Sequence, residues 1–187
     1  WLGPPLHAGA YAVGGGAWLN VVVIAESAPA GSAEDWDQAS SLAALQQATG
    51  PSTRSLQALL EAMPGWRAWS LSDRPAIRSA AEMAHERVAL VGDAAHPMVP
   101  YLAQGAGMAI EDAVALADAL GEGSAADVPA AFARYAEARW QRNARVQARA
   151  RRNGQVFHAT GATRIGRDLT MRLLGARLLD QPWLYAG

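Results

Sequence analysis

The 187-residue sequence contains no cysteine and no lysine. The first absence excludes disulfides and thiolate metal sites and leaves the redox compartment open. The second excludes a lysine nucleophile or Schiff base. All sixteen basic residues are arginine, which beside the abundant alanine reads as coding bias. No apolar run approaches the roughly 18 to 20 residues needed to span a bilayer, and a net charge of −1 gives no global reason to expect nucleic acid or an anionic membrane. What is present is 51% hydrophobic residues at a mean hydropathy of −0.02, the balance of a soluble globular chain sized for one domain or one and a half. The first residue is Trp1, with no charged-then-apolar leader before it, so a cytoplasmic fragment is expected.

The chain is organised around Arg87 to Leu120. Val88 to Val91 is apolar and short, the length of a buried strand. Gly92-Asp93 ends the run as a turn. Pro97 and Pro100 each fix φ and bias the preceding residue away from the α region, so the segment between them is expected to be extended. After Gly105 the pattern turns helical, with Met108, Ile110, Val114, Leu116 and Leu120 recurring among alanines. Strand, acidic turn, proline-stiffened loop and glycine-rich helix start together suit a ligand held against backbone amides at a helix N-terminus.

The flanking segments are read in order. Two β-like runs, around Tyr11 to Val13 and from Ala17 to Ala25, enclose Gly14-Gly15-Gly16, a hairpin signal; the valine triplet of the second run suits a strand covered on both faces. Ser27 to Ala33 reads as a loop. A helix is expected over Glu34 to Thr49, with Trp36, Leu42 and Leu45 on its apolar side and Gly50-Pro51 as its stop. A second is expected over Thr53 to Met63, ended by Pro64-Gly65. Trp66 to Leu71 has the loose alternation of a half-buried strand, and Asp73-Arg74-Pro75 reads as a loop. Beyond a break at Gly121 to Ser124, Asp127 is placed to cap a long Ala/Arg-rich helix reaching about Asn153, with Gly154 as its stop. A last helix is expected from Ile165 to Leu179.

Asp93 at the end of a short strand suits acceptance of hydrogen bonds from ligand hydroxyls, although taken alone the capping of its own turn is the preferred reading. Gly105-Ala106-Gly107 offers accessible N–H groups at a helix start, but it is not the G-x-G-x-x-G fingerprint, because Ile110 stands at the third position, and no P-loop lysine follows. His85-Glu86 fails as a metalloprotease motif because Ala89 stands where the second histidine is needed. The four histidines (His7, His85, His96, His158) lack metal-ligand spacing and are expected at the surface or in packing. The arginines from Arg134 to Arg152 are weighed as a nucleic-acid or lipid surface and preferred as a solvated outer helix face.

The stretch GDAAHPMVPYLAQGAGMAIEDAVALADAL resembles the second flavin-binding motif of the single-component FAD-dependent aromatic hydroxylases, in their salicylate hydroxylase and 3-hydroxybenzoate 6-hydroxylase-like branch. WLGPPLH and YAVGGGAWLNVVV near the start, WSLSDRP at Trp69 to Pro75, RRNGQVFH at Arg151 to His158 and the terminal PWLY follow the family in the same order. The resemblance implies an α/β fold, part of a glutathione-reductase-like FAD-binding domain with a mostly antiparallel substrate-domain sheet and C-terminal helices. It divides the chain into substrate sheet (1–80), second half of the FAD domain (81–126) and C-terminal helices (127–187).

The resemblance also implies roles. Asp93 would meet the ribityl chain, Pro100 the isoalloxazine ring, and Ala106 and Gly107 its pyrimidine edge through backbone amides, with Gly92 and Gly105 as further cofactor-binding positions. His7 and Gln104 are the catalytic candidates and Tyr101 the pocket liner. NADH or NADPH would reduce FAD, and O₂ would then form a C4a-hydroperoxide that hydroxylates a small phenolic acid. Neither nucleic acid nor membrane is an expected partner, and a homodimer is left open. The family's G-x-G-x-x-G is not in this sequence, so weak FAD binding and no activity are expected of the chain alone. A related monooxygenase or epoxidase acting on another substrate is the alternative.

Overall fold

The computed structural model describes residues 1–27, 37–121, 127–178 and 181–184. The chain divides into two compact units, Trp1–Leu71 with Gln155–Gln181, and Ser72–Gly154 with Pro182–Gly187.

The first unit is built on an antiparallel sheet in the order β1 (Leu2–Gly3), β2 (Leu6–Val13), β3 (Trp18–Ala25). The triglycine closes the β2–β3 hairpin as expected, in a register that pairs Leu6 with Ala25 and Val13 with Trp18. One face is buried: Leu6 and Ala8, with Val21, Val23 and Ala25, pack on Leu56 and Leu60. The other is open, with Trp18 74% and Val22 41% exposed, so β3 is covered on one face rather than two. The period of 2 sends alternate residues outward, and of these His7 meets Phe157 at the end of the helix that runs to it.

The helix expected over Glu34 to Thr49 is shorter. Residues 28–36, which include Trp36 and most of the expected loop, lie outside the described residues. Gln38–Ser40 forms strand β4, paired with β5 (Trp66–Ala68), and only Leu42–Thr49 is helical (α1). Ser41 sets that boundary: its side chain accepts from the Ala44 N–H at 3.1 Å, and an N-capping residue is extended. Gly50 closes α1 at φ +67°, a backbone region open to glycine. Helix α2 (Arg54–Glu61) is capped by Thr53 and buries Leu56 and Leu60 one turn apart, at about 1.5–3 kcal/mol for each side chain removed from water. β5 stops at Ala68, three residues short of the expected strand.

In the second unit Val88–Ala89 is strand β7, paired among the described residues only with β6 (Ala84–His85). Val88 is 63% exposed, so the expected buried strand is a two-residue ladder, continued by Leu90, whose N–H donates to the Met83 carbonyl at 2.8 Å. Helix α3 (Gly105–Gly121) begins where expected. Residues 122–126, most of the expected break, lie outside the described residues.

Helix α4 (Val128–Phe157) does not stop at Gly154. A Cβ there would lie 2.5 Å from the Tyr101 ring, so the glycine permits close packing instead of ending the helix. Two apolar clusters hold this unit, one around Met83 and Tyr135 and one around Met108, Val146 and Leu184. Helix α5 (Gly161–Leu174), in the first unit, starts earlier than expected and passes into a 3-10 turn over Gly175–Leu178; Leu179 lies outside the described residues. No helix among the described residues is long and apolar enough to cross a membrane.

Candidate functional site

Within the second unit the structure assembles most of the expected flavin-contact positions. Gly92 adopts φ +58° and starts a 3-10 turn over Gly92–Ala94. A Cβ on Gly92 would stand 3.3 Å from the Ala109 Cβ, which seats the turn against the second turn of α3. Asp93 is exposed at this corner, and among the described residues nothing bonds its carboxylate. The Pro97–Val99 segment, neither helix nor strand, leads to exposed Pro100 and then to α3.

The first intrahelical acceptor of α3 is the Gln104 carbonyl, taken by the Met108 N–H at 2.9 Å. The N–H groups of Gly105, Ala106 and Gly107 therefore precede the helical ladder and carry the positive end of its dipole. Gln104 is half-buried beside Gly107 and lines a groove along α3 with Ile110, Glu111, Val114, Arg139 and Arg142. Tyr101 is half-buried against Gly154, and its carbonyl accepts from Asn153 at 3.1 Å.

A buried polar hub, not foreseen from the sequence, supports this arrangement. Asp112 on α3 is fully buried and accepts from the Gly92 N–H (3.2 Å), His96 Nε2 (2.6 Å), Arg139 Nε (2.8 Å) and Asn143 Nδ2 (3.0 Å). Burial pushes its carboxyl pKa up, but the hydrogen bonds from His96, Asn143, Arg139 and Gly92 outweigh that and hold it at about 2. A carboxylate only accepts, so neutral His96 carries its proton on Nε2. One carboxylate thus ties the acidic turn and its proline loop to α3 and α4.

Glu111 takes Arg142 in a two-point ion pair (2.6 and 2.8 Å) and Arg139 at 2.8 Å, which lowers its pKa, Arg142 first. The expected solvated arginine face holds at Arg134, Arg145 and Arg152, which are exposed, and is corrected at Arg139, which is buried, and Arg142, which is half-buried. His96 and His158 are both buried and bonded to carboxylates.

The loop is braced from a second side. Arg74 donates to the carbonyls of Ala94 and Ala95 at 2.8 and 2.7 Å, Gln147 on α4 donates to those of Arg74 and Pro97 at 2.8 and 2.7 Å, and Asp73 pairs with Arg151. The DRP and RRNG segments therefore meet behind the acidic turn. The available signals were an aspartate inside the apolar pattern of α3 and Arg139 with Asn143 one turn apart on α4.

His7 lies in the first unit, on β2. Its Nδ1 is 2.9 Å from His158 Nε2, and His158 Nδ1 is 2.6 Å from Glu26 Oε1. Burial first, then His158 and the Trp1 amino group, lower the His7 pKa to about 4, so the imidazole is neutral at pH 7. Gln104 belongs to the other unit.

The second unit's turn and helix start fit the ring-and-ribityl half of a flavin. Asp93 can accept from hydroxyls, and the three leading amides of α3, on residues with small or no side chains, can face an anionic edge. The family model described as "FAD binding domain" matches residues 17–152, and the chain belongs to that family, whose cofactor is FAD. It is 39% identical over 171 residues to a 3-hydroxybenzoate 6-hydroxylase of Klebsiella oxytoca, covering 90% of this chain and 41% of that protein. It is 38% identical to a 3-amino-4-hydroxybenzoate 2-monooxygenase of Streptomyces platensis, covering 99% and 46%. A solved salicylate hydroxylase substrate complex superposes with a TM-score of 0.78 at 26% identity, covering 96% of this chain and 45% of that one. The chain thus spans less than half the length of these relatives.

Proposed function

We propose that this chain is the ring-and-ribityl half of the flavin site, with part of the substrate site, of an FAD-dependent monooxygenase that hydroxylates a small phenolic or aromatic acid. The observation that carries the reading is the unbonded Asp93 carboxylate on a turn seated against α3, whose leading amides lie outside the helical ladder. The printed activities of the relatives support the aromatic-acid class. FAD, when bound, supplies the redox chemistry, taking a hydride from NADH or NADPH and activating O₂ for transfer of one oxygen atom to the ring.

The protein's own residues bind and orient. Asp93 accepts from ribityl hydroxyls. Gly92, by its left-handed backbone, turns the chain so that Asp93 faces outward. The N–H groups of Gly105, Ala106 and Gly107 donate to the pyrimidine edge of the ring, where negative charge gathers on reduction, without adding a titratable group. Pro97 to Pro100 forms a fixed wall beside the ring, and Tyr101 lines the substrate pocket. His7, neutral at pH 7, takes the phenolic proton, and Gln104 orients the substrate by hydrogen bonding.

Incubation of the full-length protein with NADH or NADPH, O₂ and a set of hydroxybenzoates, salicylate included, tests the reading. Hydroxylated product is expected; His7→Ala should slow hydroxylation by about 10²-fold or more, the usual contribution of a positioned acid–base group, and Gln104→Ala by about tenfold or more, the loss of one hydrogen bond to a charged group at about 1.5–3 kcal/mol, each with flavin content kept. Uncoupled or absent turnover on every aromatic acid would overturn the substrate class, and undiminished turnover in both variants would remove the two assignments.

A further inference from the structure

The first unit holds three titratable side chains in a row that the proposed reaction uses at one end only. Glu26 lies just past β3, His158 just past α4, and His7 on β2. Their separations in sequence, 132 and 151 positions, make the row a product of the fold. The Glu26 backbone is fixed by its N–H to the Pro5 carbonyl (2.9 Å). Its side chain is 65% exposed, whereas the His158 side chain is 4% exposed. The two imidazoles lie 5.2 Å apart by ring centroid, and Phe157 packs edge-on against His7 at 5.3 Å.

The hydrogen-bond order along this row is forced when both rings are neutral. A carboxylate can only accept, so His158 Nδ1 must carry the proton that meets Glu26 Oε1. His158 Nε2 then has a lone pair and can only accept. The group across from it at 2.9 Å, His7 Nδ1, must therefore be the N–H. That leaves the lone pair of His7 on Nε2.

We infer that Glu26 and His158 are positioning residues that hold His7 as its Nδ1–H tautomer, so that Nε2 is the nitrogen that accepts the substrate's proton. The inference rests on the proposed role of His7 as base. In that step a phenolic O–H transfers its proton to His7 Nε2, which leaves a phenolate and an imidazolium whose Nδ1–H still donates to His158. Glu26, one ring further on, is the anion that faces the new positive charge. The arrangement has the logic of a carboxylate orienting a catalytic imidazole, lengthened by one ring.

Ring ¹⁵N NMR on the full chain at mildly alkaline pH tests the tautomer without reference to turnover. In the native chain His7 should show a protonated-type Nδ1 and a bare-type Nε2. In Glu26→Gln the carboxamide can donate as well as accept, so the order is no longer imposed and both His7 nitrogens should move toward averaged shifts. Glu26 is exposed, so this variant should fold. A native His7 protonated at Nε2, or an unaltered pattern in Glu26→Gln, overturns the inference. The base role is read separately, from the pH profile of kcat in the full-length enzyme. A profile displaced in Glu26→Gln supports coupling of the row to the reaction. A tautomer lost in Glu26→Gln with turnover undiminished in His7→Ala overturns the base role alone.

Discussion

Asp112 shows how a residue distant from any ligand can govern a binding turn. It is buried with four donors, one of them the backbone of Gly92. Asp112→Asn keeps the shape but makes a neutral acceptor of the charged one and leaves Glu111 as the carboxylate still facing Arg139, at a cost of about 1.5–3 kcal/mol for the weakened charge-assisted hydrogen bonds, and a thermal melt should show it as a drop in Tm. Two residues should also shape the acid limb of stability, with the same sign. His7 titrates near 4 in the folded chain against 6.5 ordinarily. The unfolded chain binds more protons in that window, so stability present above about pH 6.5 is lost as pH falls toward 4. Asp112, near 2 against 3.8, adds a second loss from about pH 3.8 toward 2. Chemical denaturation across this range should show His7→Gln flattening the upper window and leaving the lower one.

The legibility of these residues in the sequence differed for a physical reason. Asp93 and Gly105 to Gly107 stand out because a turn and a helix start are local events. Asp112, His96, Arg139 and Asn143 form one cluster from three segments, and His7, His158 and Glu26 form another. Each polar residue looked like surface until a partner far along the chain permitted its burial.

At the scale of elements the same division holds. The boundaries of α2 and α3 and the triglycine hairpin follow from caps, glycines and prolines next to them in sequence. Strand β4 does not, because three residues become a strand only when β5, about thirty positions later, pairs with them. Gly154 signals a helix end locally, yet it lies within α4 because Tyr101 occupies the space a side chain would take. Gly154→Ala should therefore destabilise despite alanine's better helix propensity: about 1 kcal/mol is gained in the helix against about 1–3 kcal/mol of overpacking. A lower Tm with a displaced Tyr101 is the expected outcome; a raised Tm would mean the ring gives way freely. In α2, Leu60→Ala should cost about 2–5 kcal/mol in urea denaturation, because Leu60 is 1% exposed on the sheet-facing side.

On the scale of the whole molecule, the second unit offers a flavin a corner and a helix start, both held rigid from behind by Asp112, Arg74 and Gln147. The first unit offers a one-sided sheet bearing an imidazole whose tautomer is set by its neighbours. The central claim is that Asp93 and the leading amides of α3 contact flavin. It is tested most directly by titrating FAD into the full-length protein and its Asp93→Ala variant. Loss of a hydrogen bond to a charged group costs about 1.5–3 kcal/mol, so the variant's Kd should rise about tenfold or more, with its fold and Tm unchanged in the absence of flavin. Equal affinity in the two proteins would contradict the account.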